Sequence, residues 1–168
     1  MRISAMEEYG LRSLLCLARR VVKTGDESAA LTIPEIAQEE GLSIPYVSKI
    51  MRKLRQGGLV AASRGRIGGY HLSLPPQKFT LYSALVTLGG PMLPDNHCRR
   101  HTGVQAVCVH NSDCSIRGAF GVLSTRVESF LSNTTLMDLI APEVTARDSF
   151  TRLSTNFDRR GARVERHL

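Results

Sequence analysis

Three of the chain's four cysteines, Cys98, Cys108 and Cys114, fall with His97, His101 and His110 inside the eighteen-residue stretch HCRRHTGVQAVCVHNSDC. Thiols and imidazoles at this density suit a disulfide knot, a zinc site or an iron–sulfur site, set against the plain alternative of a polar loop with incidental cysteines. Structural zinc favours paired cysteine knuckles two to four residues apart, and the gaps here are nine and five residues. A site of three cysteines with His97, His101 or His110 stays open. Iron–sulfur clusters are held by thiolates with occasional replacement by another side chain. Three cysteines on a loop that leads into a helix can supply three of the ligands, and the fourth must come from elsewhere. The fourth cysteine, Cys16, lies within an apolar helical stretch and reads as a small buried hydrophobe. His71 and His167 have no such neighbours.

The compartment bears on these options. Glu7 and Glu8 stand near the N-terminus, and the apolar run that follows is broken by Arg19 and Arg20, unlike a secretory leader. The longest uncharged stretch, Thr80 to Pro94, is too short and too rich in Gly and Pro to span a bilayer. A cytoplasmic protein with no membrane partner is expected, and in reducing cytosol clustered cysteines serve metal or redox chemistry more often than disulfides.

Charge points to a partner. The net charge is +7, and between Gly41 and Pro94 there is no Asp or Glu. That segment carries Lys49, Arg52, Lys53, Arg55, Arg64, Arg66 and Lys78, so the whole excess sits in one continuous stretch, with basic and acidic groups equal elsewhere. A footprint of this kind favours a polyanion, most often nucleic acid, over a merely solvated face.

The elements that must position these residues are legible from caps and periodicity. Ser4 and Glu7 form a capping box, and Leu11, Leu14, Leu15, Ala18 and Val22 follow, predicting a helix over residues 5–22. Thr32 and Glu35 form a second box before a helix of about eight residues that ends at Gly41. Ser43 is expected to cap a third helix, whose stripe is Val47, Ile50, Met51 and Leu54 and whose opposite face carries Tyr46, Ser48, Lys49, Arg52 and Lys53. Two short helices across a Gly-containing turn make a helix-turn-helix. LVAAS, RGRIGG and YHLSL then read as a hairpin with Arg64 and Arg66 at its tip, a basic wing. Thr80 is expected to cap a helix to Leu88. Asp113 or Ser115 starts a longer one, with Ile116, Ala119, Phe120, Leu123, Val127, Phe130 and Leu131 close to a heptad seam suited to a dimer. Thr135 to Ile140 forms a last short helix, and the chain from Ala146 is polar, Arg-rich and aperiodic, as in a disordered tail.

These segments together resemble the IscR, NsrR and RirA group of bacterial winged-helix transcription regulators. MRISAMEEYGLRSLL is similar to that family's opening helix, IPEIAQEEGLSIPYVSKIMRKLRQGGLV to its helix-turn-helix and SRGRIGGYHL to its wing. The cysteines stand where the family's cluster ligands stand, just before the dimerisation helix. The resemblance spans residues 1 to about 140.

It implies a mainly α fold in four parts: a winged helix-turn-helix domain over 1–90, a cysteine-bearing cluster loop over 91–114, a dimerisation helix with a short return helix over 115–141, and a basic tail over 142–168. It also implies a homodimer on double-stranded DNA with a partly palindromic operator. A two-iron or four-iron cluster on Cys98, Cys108 and Cys114 would control binding, with nitric oxide, redox state or iron supply as the signal. Ser43, Tyr46, Ser48 and Lys49 are the candidates for base edges, and Arg52, Arg55, Arg64 and Arg66 for phosphates or the minor groove.

Two departures from the family's pattern matter. The first cysteine gap is longer than is usual in the family. The histidine that IscR-type members carry three residues after the third cysteine is here Arg117, which stays protonated and cannot ligate iron. NsrR-type members instead use a carboxylate near the start of the first helix, reaching across from the other subunit, and Glu8 matches that position. Its alternative is a helix-start acid favoured by the dipole, and His97, His101 and His110 remain rivals. Two further readings stay beside this one: a cluster-free regulator of the same family that acts through a thiol or a partner protein, and a zinc protein. No H-E-x-x-H motif or nucleophile triad supports an enzyme.

Overall fold

The computed structural model describes residues 3–63, 68–91, 102–141, 147–148 and 150–151. Helix α1 spans Ala5–Thr24, running one half-turn beyond the expected end before Gly25 closes it in the left-handed conformation (φ 70°). Its start is the capping box read from the sequence: the Glu7 N–H donates to Ser4 Oγ at 3.3 Å, and the Ser4 N–H donates to Glu7 Oε2 at 2.7 Å. Helix α2 covers Ile33–Glu40, opened by the Thr32 and Glu35 box and closed by Gly41 at φ 65°. Helix α3 covers Ile44–Gln56. Ser43 occupies its N-cap position, but its hydroxyl makes no capping bond. Pro45 in the first turn lacks an N–H, so less is left there to cap.

Strands β1 (Val60–Ser63) and β2 (Gly69–Leu72) pair antiparallel, Val60 opposite Leu72 and Ser63 opposite Gly69. The hairpin is stitched to the loop before α2. The Leu31 N–H donates to Tyr70 O at 2.9 Å, and the Tyr70 N–H donates to Leu31 O at 2.8 Å. Its tip, with Arg64 and Arg66, lies outside the described residues. A single 3-10 turn, Pro76–Lys78, leads to helix α4 (Leu81–Gly89), capped by Thr80 as expected.

Helix α5 (Ser115–Ser132) is the expected long helix, and α6 (Leu136–Ile140) the short return helix. The return segment is tied in by backbone bonds from the Leu81 N–H to Thr134 O and from the Leu136 N–H to Phe79 O. One core serves all of this: Leu14 and Leu17 from α1, Ile36 from α2, Val47, Ile50, Met51 and Leu54 from α3, Phe79, Leu88 from α4 and Leu136 from α6. Burying such side chains is worth roughly 1.5–3 kcal/mol each, and this is what fixes α3 against α1.

Helix α5 is the exception. It packs on α4, yet only Ser124 among its residues is buried. Ile116 is 65% exposed and Leu123 53%, and Phe120 and Val122 are exposed beside them. Among the described residues no helix is long and apolar enough to cross a membrane. Of the tail, only 147–148 and 150–151 are described, and these residues are helical.

Candidate nucleic-acid interface and cysteine loop

The solvent face of α3 carries the residues that the sequence proposes for DNA, with two differences. Ser43, Lys49, Arg52 and Arg55 are exposed and Ser48 is half-buried. Tyr46, counted on that face by periodicity, instead turns its ring edge-on to Tyr9 of α1, with centroids 5.9 Å apart. It is half-buried and packs in part against the core. Lys53, counted on the same face, reaches the other way: its ammonium donates to the carbonyl of Leu88 at the end of α4. A cation at a helix C-terminus meets carbonyls with no intrahelical partner. Lys53 therefore joins α3 to α4 and does not belong to the basic surface.

The structure also adds one residue to that surface. Ile44, the first residue of α3, is 53% exposed at the end of the helix that a helix-turn-helix turns toward base edges. Periodicity gives no signal of this: three residues before Val47 and seven before Met51, Ile44 sits at the edge of the apolar stripe, and only the structure shows it exposed.

Helix α1 connects this surface to the rest. Arg12 Nε donates to Glu40 Oε2 at 2.7 Å, and its Nη2 donates to Glu40 O at 2.9 Å, clamping α1 to the end of α2. The same guanidinium lies 5.4 Å over the Tyr9 ring, and Tyr9 touches Tyr46. The Arg12 pKa is pushed up, first by the hydrogen bond to Glu40 and further by the nearby charges of Glu40 and Glu8. Glu8 is exposed, one turn before Arg12 on the same helix. Glu7 has a different task. Its carboxylate closes the capping box and lies on Gly89, where an added Cβ would come 2.2 Å from Glu7 Oε1.

The four cysteines separate as their positions suggest. Cys16 is buried, and its thiol donates to Glu39 Oε2 at 2.9 Å. Burial first, then that hydrogen bond, pushes its pKa up, so it stays a protonated, unreactive thiol. Cys108 and Cys114 are half-buried free thiols. Cys114 is itself the N-cap of α5, its Sγ accepting from the Arg117 N–H at 3.4 Å. The helix thus starts at Ser115, the second of the two expected starts.

Cys98, His97 and His101 lie outside the described residues, and His110 is exposed. Among the described residues no three of His, Cys, Asp and Glu come together to hold a metal. Cys108 and Cys114 are therefore not joined by Glu8 or His110 of the same chain. As a donor set, two half-buried thiols on a short loop at a helix N-terminus suit a soft, thiolate-bound centre, since that end of a helix favours anionic groups. His71 is half-buried in β2, with its Nδ1 buried and without a hydrogen-bond partner.

Comparison with known proteins extends over this same span. A sequence model of the Rrf2 family, described as an iron-dependent transcriptional regulator, matches residues 3–142. A Rhodobacter capsulatus protein described as an HTH-type transcriptional regulator, rrf2-like, is 31% identical over 141 residues, covering 83% of this chain and 92% of that one. The HTH-type transcriptional regulator IscR of Yersinia pseudotuberculosis is 26% identical over 140 residues, covering 83% of this chain and 79% of its own. Among solved structures, CymR, the global cysteine regulator of Bacillus subtilis, superposes with a TM-score of 0.65 at 28% identity, covering 83% of this chain and 96% of CymR. The IscR of T. potens superposes at 0.63 with 23% identity, covering 83% of this chain and 86% of that one, a likeness of fold.

Proposed function

We propose, from the premise that this chain belongs to the Rrf2 family of transcriptional regulators, that it is a homodimeric DNA-binding regulator whose operator affinity is set by an iron–sulfur cluster. The observation that carries the DNA half is the acid-free basic segment that folds into the second helix of the helix-turn-helix and the hairpin after it. The iron half is supported by the donor set on the cysteine loop and by the family's description as iron-dependent. Cys98, Cys108 and Cys114 would hold the cluster, with Glu8 of the partner subunit as the fourth ligand. When bound, such a cluster supplies a redox-active, chemically labile centre that small molecules can alter.

The chain's own residues do the transmission. Glu8 lies one turn from Arg12, and Arg12 holds α2 through Glu40 and rests on Tyr9, which touches Tyr46 of α3. A pull on Glu8 is therefore delivered to both helices of the helix-turn-helix. A two-fold dimer reads half-sites roughly 34 Å apart, so a small rotation of α1 changes the match of two recognition helices to DNA. The division into a DNA-binding domain (1–90), cluster loop (91–114), dimerisation region (115–141) and tail (142–168) follows from this reading. The exposed seam of α5 supplies the dimer face.

The likeness to CymR, a cysteine regulator, favours a second reading in which the same fold senses without a cluster. Anaerobic reconstitution followed by absorbance and Mössbauer spectroscopy decides between them: a coloured protein supports the first, and a colourless one that still binds DNA supports the second.

Binding itself is expected to leave a partly palindromic footprint, with log affinity falling against log salt by about 0.9 per phosphate contact. Arg64→Ala is expected to weaken all sequences alike, while Ile44→Ala relaxes any preference for thymine, whose methyl group an apolar side chain can meet in the major groove. A salt-independent affinity or an asymmetric footprint counts against the reading.

Glu8→Ala is expected to leave folding intact, make the cluster more labile, and move DNA affinity toward that of the cluster-free protein. The right companion is Glu7→Gln, because Glu7→Ala removes the capping-box acceptor of the Ser4 N–H. Equal cluster decay in wild type, Glu8→Ala and Glu7→Gln would show Glu8 to be only a helix-start acid.

A further inference from the structure

Arg117 occupies the position at which the resemblance calls for a histidine ligand, and the geometry gives it another task. Its Nη2 donates to Asn111 O at 2.9 Å, and its backbone N–H donates to Cys114 Sγ at 3.4 Å. Asn111 in turn donates its N–H to Cys108 O at 3.0 Å, and the Gly118 N–H donates to Cys114 O at 3.2 Å. One residue therefore ties the turn that begins at Cys108 to the first turn of α5 that begins at Cys114. The Asn111 bond to Cys108 is local. The guanidinium bond spans six residues and joins loop to helix.

Two sulfurs on one loop serve one centre only if the loop is held at a fixed reach, because ligands are oriented by the groups that support them. Arg117 also brings a positive charge. Reduction adds negative charge to a cluster, and net charge and hydrogen bonding around the sulfurs set its potential.

We infer that Arg117 is a positioning residue that locks the Cys108–Cys114 turn onto α5, and that its fixed positive charge raises the reduction potential of the centre held there. The inference rests on the iron–sulfur reading. It assigns Arg117 no bond to iron, and where a ligating histidine would complete the site, this chain closes the loop instead.

The test uses the full chain, reconstituted anaerobically, in wild type and in Arg117→Lys, Arg117→Gln and Arg117→Ala, with cluster decay by visible absorbance and midpoint potential by redox titration. Arg117→Ala is expected to lose the cluster several-fold faster and to titrate at a lower potential. Arg117→Lys keeps the charge and is expected to hold the wild-type potential, while Arg117→Gln keeps an amide donor and falls to the lower one. If Arg117→Ala fails to fold, the Lys and Gln pair decides. A coloured wild type with unaltered decay and potential in the variants overturns this inference alone. Faster decay with the same potential in all three overturns the charge effect. A wild type that stays colourless overturns the iron–sulfur reading, and this inference with it.

Discussion

Cys114→Ala is expected to yield a colourless protein after anaerobic reconstitution, as is Cys108→Ala, while Cys16→Ala keeps its full colour. All three remove one thiol, so the difference measures position. Cys16 is buried and spends its proton on Glu39. With its pKa pushed up by that environment, it presents no thiolate at neutral pH. Cys108 and Cys114 are only half-buried, on the loop. Cys114→Ala carries a second cost, since Sγ accepts the Arg117 N–H as the cap of α5. Cys114→Ser restores an oxygen that caps well but ligates iron less readily. It is expected to recover helix stability, on the order of 1 kcal/mol for a cap, without recovering colour. Alkylation of the native protein should follow the same order, with Cys16 reacting only after denaturation. Loss of colour in Cys16→Ala together with retained colour in Cys108→Ala would overturn the ligand set.

The second large effect is expected at Gly69. A Cβ built there lies 2.7 Å from Leu31 O and 2.9 Å from Leu31 C. These are backbone atoms, and they cannot swing aside as a side chain would. Gly69→Ala must push β2 away from the Leu31 strand position, where two backbone hydrogen bonds join Leu31 and Tyr70. Overpacking costs about 1–3 kcal/mol, and each lost bond about 0.5–1.5 more. Urea unfolding is expected to show a loss in this range, and DNA affinity to fall as well, because β2 carries one arm of the wing. Gly10→Ala is the informative comparison. Its Cβ would meet the terminal methyls of Leu88, at 2.5 and 2.6 Å, which can repack. It should lose less stability and leave the wing in register. If Gly69→Ala unfolds at the same urea concentration as wild type, the hairpin is not anchored at Leu31.

What the sequence revealed and what it hid follow from the range of the interactions concerned. The Ser4–Glu7 and Thr32–Glu35 boxes are local patterns, and both form as read. The apolar stripe of α3 is local in the same sense, and Val47, Ile50, Met51 and Leu54 are all buried. The contacts of Tyr46 and Lys53 were not legible because periodicity places a side chain on a face of its own helix but does not say which neighbour meets that face. Tyr9 of α1 and the end of α4 do. Cys114 as a cap was hidden for a chemical reason: sulfur is outside the usual capping set of Ser, Thr, Asp and Asn. Arg117 could be excluded as a ligand from its type alone, but its bond to Asn111 needs the loop's path. Cys98, Arg64 and Arg66 rest on sequence, since they lie outside the described residues.

Helix α5 buries one of its eighteen residues within the chain. Its N-terminal half, where Ile116, Phe120 and Leu123 are exposed, has little tertiary cover, and most helical stability in proteins comes from packing of an apolar face. If a second copy covers its seam, the amount of protein in the cell becomes part of the folding equilibrium, by mass action. Dilution would then fray the very turn that Cys114 caps. A regulator built this way counts its own molecules before it reports on anything else: scarce subunits would leave the cysteine loop unsupported and the operator unread, whatever the chemical state of the cell.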